Sequence, residues 1–239
     1  MRDLIASELR KLTTTRLVYL LFAGVAALAV ISVLDPGTGA STFERPFHEQ
    51  TFLFFTSLLT RVVVLVMGIR AITDEFRHGT ISSALVVTPR RGRLLAAKAV
   101  AVALTGAALA VTAWAVMAGA ASVVAATEGA TLRLDAGAWR SLGGTTLAGV
   151  AWGVIGLGIG AIVRSQIVAI VGGLVWLMGL EDAVRGWLGD LGTYLPGQSG
   201  LALAIAPSDR AAALGAATLT AYAVVAWVAA TYAMRRDVT

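Results

Sequence analysis

Long uncharged runs alternate with short charged segments along the whole chain. Runs bounded by charged residues cover residues 17–34, 51–69 with Arg61 inside, 99–127, 141–163, 165–180 and 211–234. A membrane-crossing helix needs about 20 apolar residues, each adding about 1.5 Å. All but the fifth run come close to that or exceed it. The fifth, about 24 Å long by the same rise, fits a thinned bilayer or continues past Glu181 into the interface. The pattern predicts an all-α integral membrane protein with six transmembrane helices. The first run is followed by Asp35-Pro36-Gly37 rather than a small-x-small cleavage site, so it is expected to remain as a span.

Three other segments have a pattern of their own. In residues 3–12, Leu4, Ile5, Leu9 and Leu12 share one side of a helix, with Asp3, Glu8, Arg10 and Lys11 largely on the other. This predicts an interfacial helix, residues 1–16 forming an elbow into the first span. Residues 181–210 mix charged residues with Trp187, Leu188, Leu191 and Tyr194, then break at Leu195-Pro196-Gly197. That reads as a re-entrant helical hairpin dipping into the outer leaflet. The third segment, residues 73–93, is the loop between spans two and three. The preceding helix continues through Arg70 and Asp74, an i,i+4 pair, and Gly79 suits the position after its C-cap. Thr80 can cap a short helix with Ile81, Ala84 and Leu85 on one side. Thr88 and Pro89 can then cap and start the third span. Glu75 and Arg77 flank this short helix before it, and Arg90, Arg91 and Arg93 after it. Headgroup anchoring explains arginines alone; the ordered stop, cap and restart has the form of a docking element.

Composition agrees with a membrane protein. Of 239 residues, 57% are hydrophobic and 14% charged, against about 25% charged in soluble domains. Cysteine is absent, which excludes disulfides, thiolate nucleophiles and Cys-based metal sites. His48 and His78 are too isolated to suggest a metal, and no catalytic, cofactor-binding or metal-ligating set is evident. The net charge of +5 raises nucleic-acid binding, but its distribution gives another cause. With the N-terminus inside, Arg2, Arg10, Lys11 and Arg16, the basic residues from Arg70 to Lys98, and Arg164, Arg235 and Arg236 share one side. Positive-inside asymmetry therefore puts both termini in the cytoplasm and removes the need for nucleic acid. Richness in alanine and glycine points to a bacterial cell membrane.

Asp74-Glu75-Phe76-Arg77-His78-Gly79-Thr80-Ile81, followed by Thr88-Pro89-Arg90-Arg91 and Lys98, resembles the loop between the second and third helices of type-2 ABC transporter permeases. Ser7-Glu8-Leu9-Arg10-Lys11-Leu12 is similar to that family's elbow helix, and Tyr194-Leu195-Pro196-Gly197 to its outer re-entrant element. The resemblance implies one permease domain over residues 1–239. Its coupling helix would fall within residues 75–89, contacting a separate ATPase dimer through Glu75, Phe76, Arg77, His78, Gly79, Thr80, Ile81, Leu85, Thr88, Pro89, Arg90 and Arg91. It also implies a second permease chain, because six helices form half of the family's usual pathway, and export as the usual direction. The sequence adds that no G-x-x-x-x-G-K-[ST] phosphate loop is present, so ATP and Mg belong to the partner.

Further residues raise questions of their own. Arg61 stands near the middle of the second run, where a buried arginine costs at least about 2.5 kcal/mol. It must face protein or a wet cavity. Ser57, Thr60 and Gly68 fall near the same face, so these residues form either a pathway or interface stripe, or a structural site in which Arg61 binds backbone carbonyls or Gln166. Gly149, Gly153, Gly156 and Gly160 predict close helix packing, within the chain ahead of a dimer seam. Gly156-x-Gly158-x-Gly160 lacks the preceding strand of a nucleotide fingerprint. Glu181 and Asp182 read as solvated helix-end charges, leaving no acid inside a span. That weighs against a stand-alone ion-coupled transporter, and a lone deep arginine weighs against a membrane-embedded enzyme. Trp139, Trp187, Tyr194 and Tyr232 are expected in interfacial aromatic belts among membrane lipids.

Overall fold

The computed structural model describes residues 1–34, 51–79, 91–132, 134–205 and 208–235, and among these there are helices and no strands. In chain order the helices are α1 (Arg2–Thr13), α2 (Arg16–Val33), α3 (Thr51–Arg77), α4 (Arg91–Thr127), α5 (Ala136–Val163), α6 (Gln166–Val175), α7 (Glu181–Leu188), α8 (Pro196–Ile205) and α9 (Asp209–Arg235). A π turn, Trp176–Leu180, joins α6 to α7, and a 3₁₀ segment, Gly189–Tyr194, follows α7. Among the described residues, five helices are long and apolar enough to cross a membrane; a sixth span results if α1 and α2, bent by 64°, count together.

The fifth span differs from its expected limits. It continues from Gln166 through the π turn and α7 to Leu188, where Gly189, at φ +56°, turns the chain so that the 3₁₀ segment packs back on α7 with Gly192 against Arg185. The 3₁₀ segment ends at Leu195, extended at ψ 150°, the conformation imposed on a residue that precedes proline. Pro196 then opens α8, where its missing N–H costs nothing. Helix α3 ends at Arg77, and Gly79 two residues later adopts φ +66°, the left-handed conformation that terminates helices at little cost in glycine.

Helix α5 is the axis of the bundle. Glycines let its backbone meet its neighbours directly. A Cβ on Gly68 of α3 would overlap the Gly153 carbonyl of α5, and one on Gly156 would overlap the Leu65 carbonyl of α3. Gly106 of α4 faces Gly149, Gly158 faces Ala226 of α9, and Gly144 lies against the Leu203 backbone of α8. The stripe expected in the fourth run thus packs within the chain. In lipid, where apolar tails solvate leucine as well as protein does, such close van der Waals contact is a main source of helix association. Trp152, Val64, Leu65 and Ile69 fill the core around it.

The outer surface is apolar. Val168, Val171, Val175 and Met178 on the fifth span, and Val224, Val225 and Val228 on α9, are exposed. Trp187 and Tyr194 are exposed at one end and Tyr232 at the other, while exposed Trp139 stacks on Trp114 at 6.1 Å.

Gly68→Ala and Gly156→Ala should each cost about 1–3 kcal/mol by overpacking. Gly119→Ala and Gly172→Ala, in open space on their helices, should change stability little. Thermal unfolding of the purified variants in mild detergent separates the two pairs.

Candidate functional site

Two buried charged centres lie about one bilayer leaflet apart along α3. The first joins three segments at the end of the bundle that holds Arg77, Arg91 and Arg164. Lys98, on the second turn of α4, is 1% exposed. Its ammonium donates to Glu8 Oε2 of α1 at 2.7 Å, to Glu75 Oε1 of α3 at 2.6 Å and to the Ala71 carbonyl at 3.1 Å. All three of its protons are used. Lys11 adds bonds of 2.6 Å to Glu8 Oε1 and 3.0 Å to Glu75 Oε1 from a half-exposed position. Burial alone would raise the Glu8 carboxyl, but Lys98 and Lys11 outweigh it and hold the group below the usual carboxylate range. Burial would likewise lower Lys11, and Glu8 with Glu75 reverses the shift. The centre ties α1 to the two helix ends that bracket residues 80–90.

This placement changes the reading of two acids. Glu8, assigned to the polar side of the elbow, is instead its buried residue. The signal was present: Glu8 stands four residues after Leu4 and four before Leu12, on the apolar stripe itself. Glu75, expected at a partner's surface, is 8% exposed and turned inward to Lys98. Its neighbours face differently. Phe76 packs on the core beside Ile72 and Leu95, with the Arg164 guanidinium 5.8 Å from its ring centre. Arg77 donates to Gln166 Oε1 at 3.2 Å, and exposed His78 places Nδ1 2.7 Å from the Asp74 carbonyl. Thr80, Ile81, Leu85, Thr88, Pro89 and Arg90 lie outside the described residues, and Arg91 is described only as the start of α4.

The second centre grips the start of α8. Arg61 is 4% exposed, and its Nη1 donates to the Gly197 carbonyl and its Nε to the Ser57 carbonyl. The Glu181 carboxylate accepts from Gly197 N at 2.9 Å and Gln198 N at 2.8 Å. It caps the free N–H groups of the first turn, where the helix dipole favours an anion. Asp182 Oδ1 accepts from the Gln198 side chain at 3.1 Å. A Cβ on Gly197 would meet the Glu181 carboxylate at 2.6 Å, so the grip requires glycine there. Ser57 and Thr60 are buried within the chain and bond the Phe54 and Thr56 carbonyls of their own helix. Arg61 thus uses backbone carbonyls, while Gln166 belongs to Arg77. A cavity of about 260 Å³ adjoins Arg61, Glu181 and Asp182. Tyr194 is exposed, and Leu195 and Pro196 are buried at the break.

Glu181 corrects the expectation of a solvated pair. It is 3% exposed and lies about 22 Å along the helix from Gln166, level with Arg61 at about 24 Å from Arg77. The π turn accounts for its orientation. Ten residues after exposed Val171, a regular helix would leave Glu181 about 80° from the outward face; one extra residue in a turn moves it about 100° further, to the opposite side. A period of 3.6 read from the sequence misses this. Among the described residues, no group of His, Cys, Asp and Glu is arranged to hold a metal ion.

Lys98→Ala strands two buried carboxylates and should cost about 3–5 kcal/mol. Lys11→Ala, at the exposed rim, should cost no more than about 1 kcal/mol. A Lys98→Met, Glu8→Gln, Glu75→Gln triple variant should recover most of the loss, read by thermal unfolding in mild detergent.

A family model described as "ABC-2 family transporter protein" matches residues 4–179, well over half of the chain. No curated protein matches it.

Proposed function

The chain belongs to the ABC-2 transporter family, and we propose that within it this chain is the permease subunit of an exporter energised by a separate ATPase dimer. Two copies, or one copy and a similar permease, complete the pathway. Both termini lie in the cytoplasm of a bacterial cell. ATP and Mg are used by the partner, and this chain carries out no covalent chemistry.

The observation that carries the reading is the Lys98 centre. It fastens α1, the end of α3 and the start of α4 together, and the last two bracket residues 80–90. A push on that segment from a closing ATPase pair then moves three helices as one body instead of bending one of them. Helix α3 is the link to the far end. Arg61 lies fourteen residues from Glu75, about 21 Å along the helix, and holds the Gly197 carbonyl of α8. Tilting α3 therefore pulls on the re-entrant helix and opens the outer side. In this reading Ser57, Thr60 and Arg61 position the gate. Partner contact falls on Arg77, His78 and the residues beyond Gly79, not on Glu75.

Among the described residues, buried Glu181 is the feature that favours a carrier working alone on an ion gradient. Both its oxygens are already engaged by the α8 backbone, which leaves the ATPase-driven reading ahead.

Gentle solubilisation of the tagged chain from its native membrane tests this directly. An ATPase subunit should accompany the wild type and be lost from an Arg77→Glu, Arg90→Glu, Arg91→Glu variant that still folds. Glu75 is left intact, since reversing it would break the Lys98 centre. A preparation without any ATPase, under conditions that retain other membrane complexes, overturns the reading.

A further inference from the structure

A cavity of about 120 Å³ lies beside the Lys98 centre, between α1, the start of α2, α3 and α4. Counting hydrogen bonds around it separates the groups that are spent from those that are not. Lys98 has no proton left. Lys11 Nζ uses two of its three, on Glu8 and Glu75. Arg70 directs Nε and Nη2 to Asp74 Oδ2 at 3.3 and 3.0 Å, while its Nη1 donates to nothing among the described residues. Asp74 Oδ1 accepts nothing there either. The cavity therefore offers a lysine proton and a guanidinium amino group, with two unpartnered carboxylate oxygens beside them, Asp74 Oδ1 and the deeper, buried Glu75 Oε2. Apart from Thr15, whose hydroxyl is spent on the Lys11 carbonyl, the rest of its wall, including Leu12, Val18, Leu21, Met67 and Val102, is apolar.

We propose that this cavity is a headgroup site for a phospholipid that carries a primary ammonium. The phosphodiester accepts from Lys11 Nζ and Arg70 Nη1, the combination of point charge and planar donor that suits phosphate. The ammonium donates to Asp74 Oδ1. An acyl chain leaves along the Leu21, Met67 and Val102 wall. Three observations select this class. Arg70 lies seven residues in from Arg77, about 10 Å along the helix, the level at which a headgroup meets its chains. The six charged residues around the cavity, Glu8, Asp74, Glu75, Lys11, Arg70 and Lys98, sum to zero, so a zwitterion enters without net charge whereas a free phosphate dianion does not. The volume equals the share of about four waters, which accommodates one phosphate group. The site needs only that the chain cross a bilayer; it does not rest on the ATPase-driven reading.

The full chain, purified in detergent and stripped of lipid, is titrated with phosphatidylethanolamine, phosphatidylcholine and inorganic phosphate and read by native mass spectrometry. Phosphatidylethanolamine should bind about tenfold more tightly than phosphatidylcholine, whose quaternary nitrogen has no proton to donate, the worth of one charge-assisted hydrogen bond. Asp74→Asn should remove that preference and leave phosphatidylcholine binding in place. Arg70→Gln should weaken both lipids, with Arg70→Lys recovering part. Millimolar inorganic phosphate should displace neither. Equal binding of the two lipids by wild type, an Arg70→Gln variant that binds as wild type does, or displacement by inorganic phosphate would each overturn the proposal. If Arg70→Gln does not fold, the loss of preference in Asp74→Asn alone decides it.

Discussion

Direct backbone contact along α5 sets the geometry from which the rest of the molecule follows. Where Gly68 meets the Gly153 carbonyl and Gly156 meets the Leu65 carbonyl, α3 and α5 lie so close that no side chain separates them. Lipid supplies no hydrophobic drive to bring helices together, so this contact is what holds them. It also fixes how far α3 is rotated and how deep it sits. Those two settings aim Arg61 at α8 and bring Glu75 to Lys98. Neither charged centre would be satisfied if α3 turned by one residue.

The two centres solve the same problem in different ways. At one end, Lys98 is surrounded by two carboxylates and a carbonyl from three helices, so charge is cancelled by charge. At the other, Arg61 and Glu181 are not bonded to each other. Each instead holds the backbone of Gly197, Arg61 at its carbonyl and Glu181 at its N–H. A helix end inside the membrane has free N–H groups that water cannot reach, and Glu181 meets that need. The first centre ties the elbow helix to the ends of two long spans, while the second holds a short helix by its first turn. α3 carries a member of both.

The spans, the bend after the first helix and the break at Leu195-Pro196 were legible, because run length, amphipathic spacing and proline act locally. The glycine stripe was legible too, since small residues every three or four positions have few other uses in an apolar helix. The charged centres were not. Glu8 and Lys98 are far apart in the chain, and nothing local says that they meet; only the position of Glu8 between Leu4 and Leu12 hints at burial. Glu181 was hidden by the π turn, a change of period inside Trp176–Leu180 that no hydrophobic pattern declares. Arg61 was recognised as costly where it stands, and backbone carbonyls were one of the partners expected for it, but which carbonyl it meets is a matter of tertiary packing that no sequence marks.

Helix α4 has 37 residues and is therefore about 55 Å long, in a bilayer whose hydrocarbon is about 30 Å thick. An upright rod of that length leaves close to half of itself outside the oil. It is also a lever with its fulcrum within the bilayer: a tilt of about 10° displaces one tip relative to the other by about 10 Å, by simple trigonometry on that length. Lys98 lies about 10 Å in from one tip, so the same tilt about the helix centre would carry it, and whatever is fastened to it, by about 3 Å.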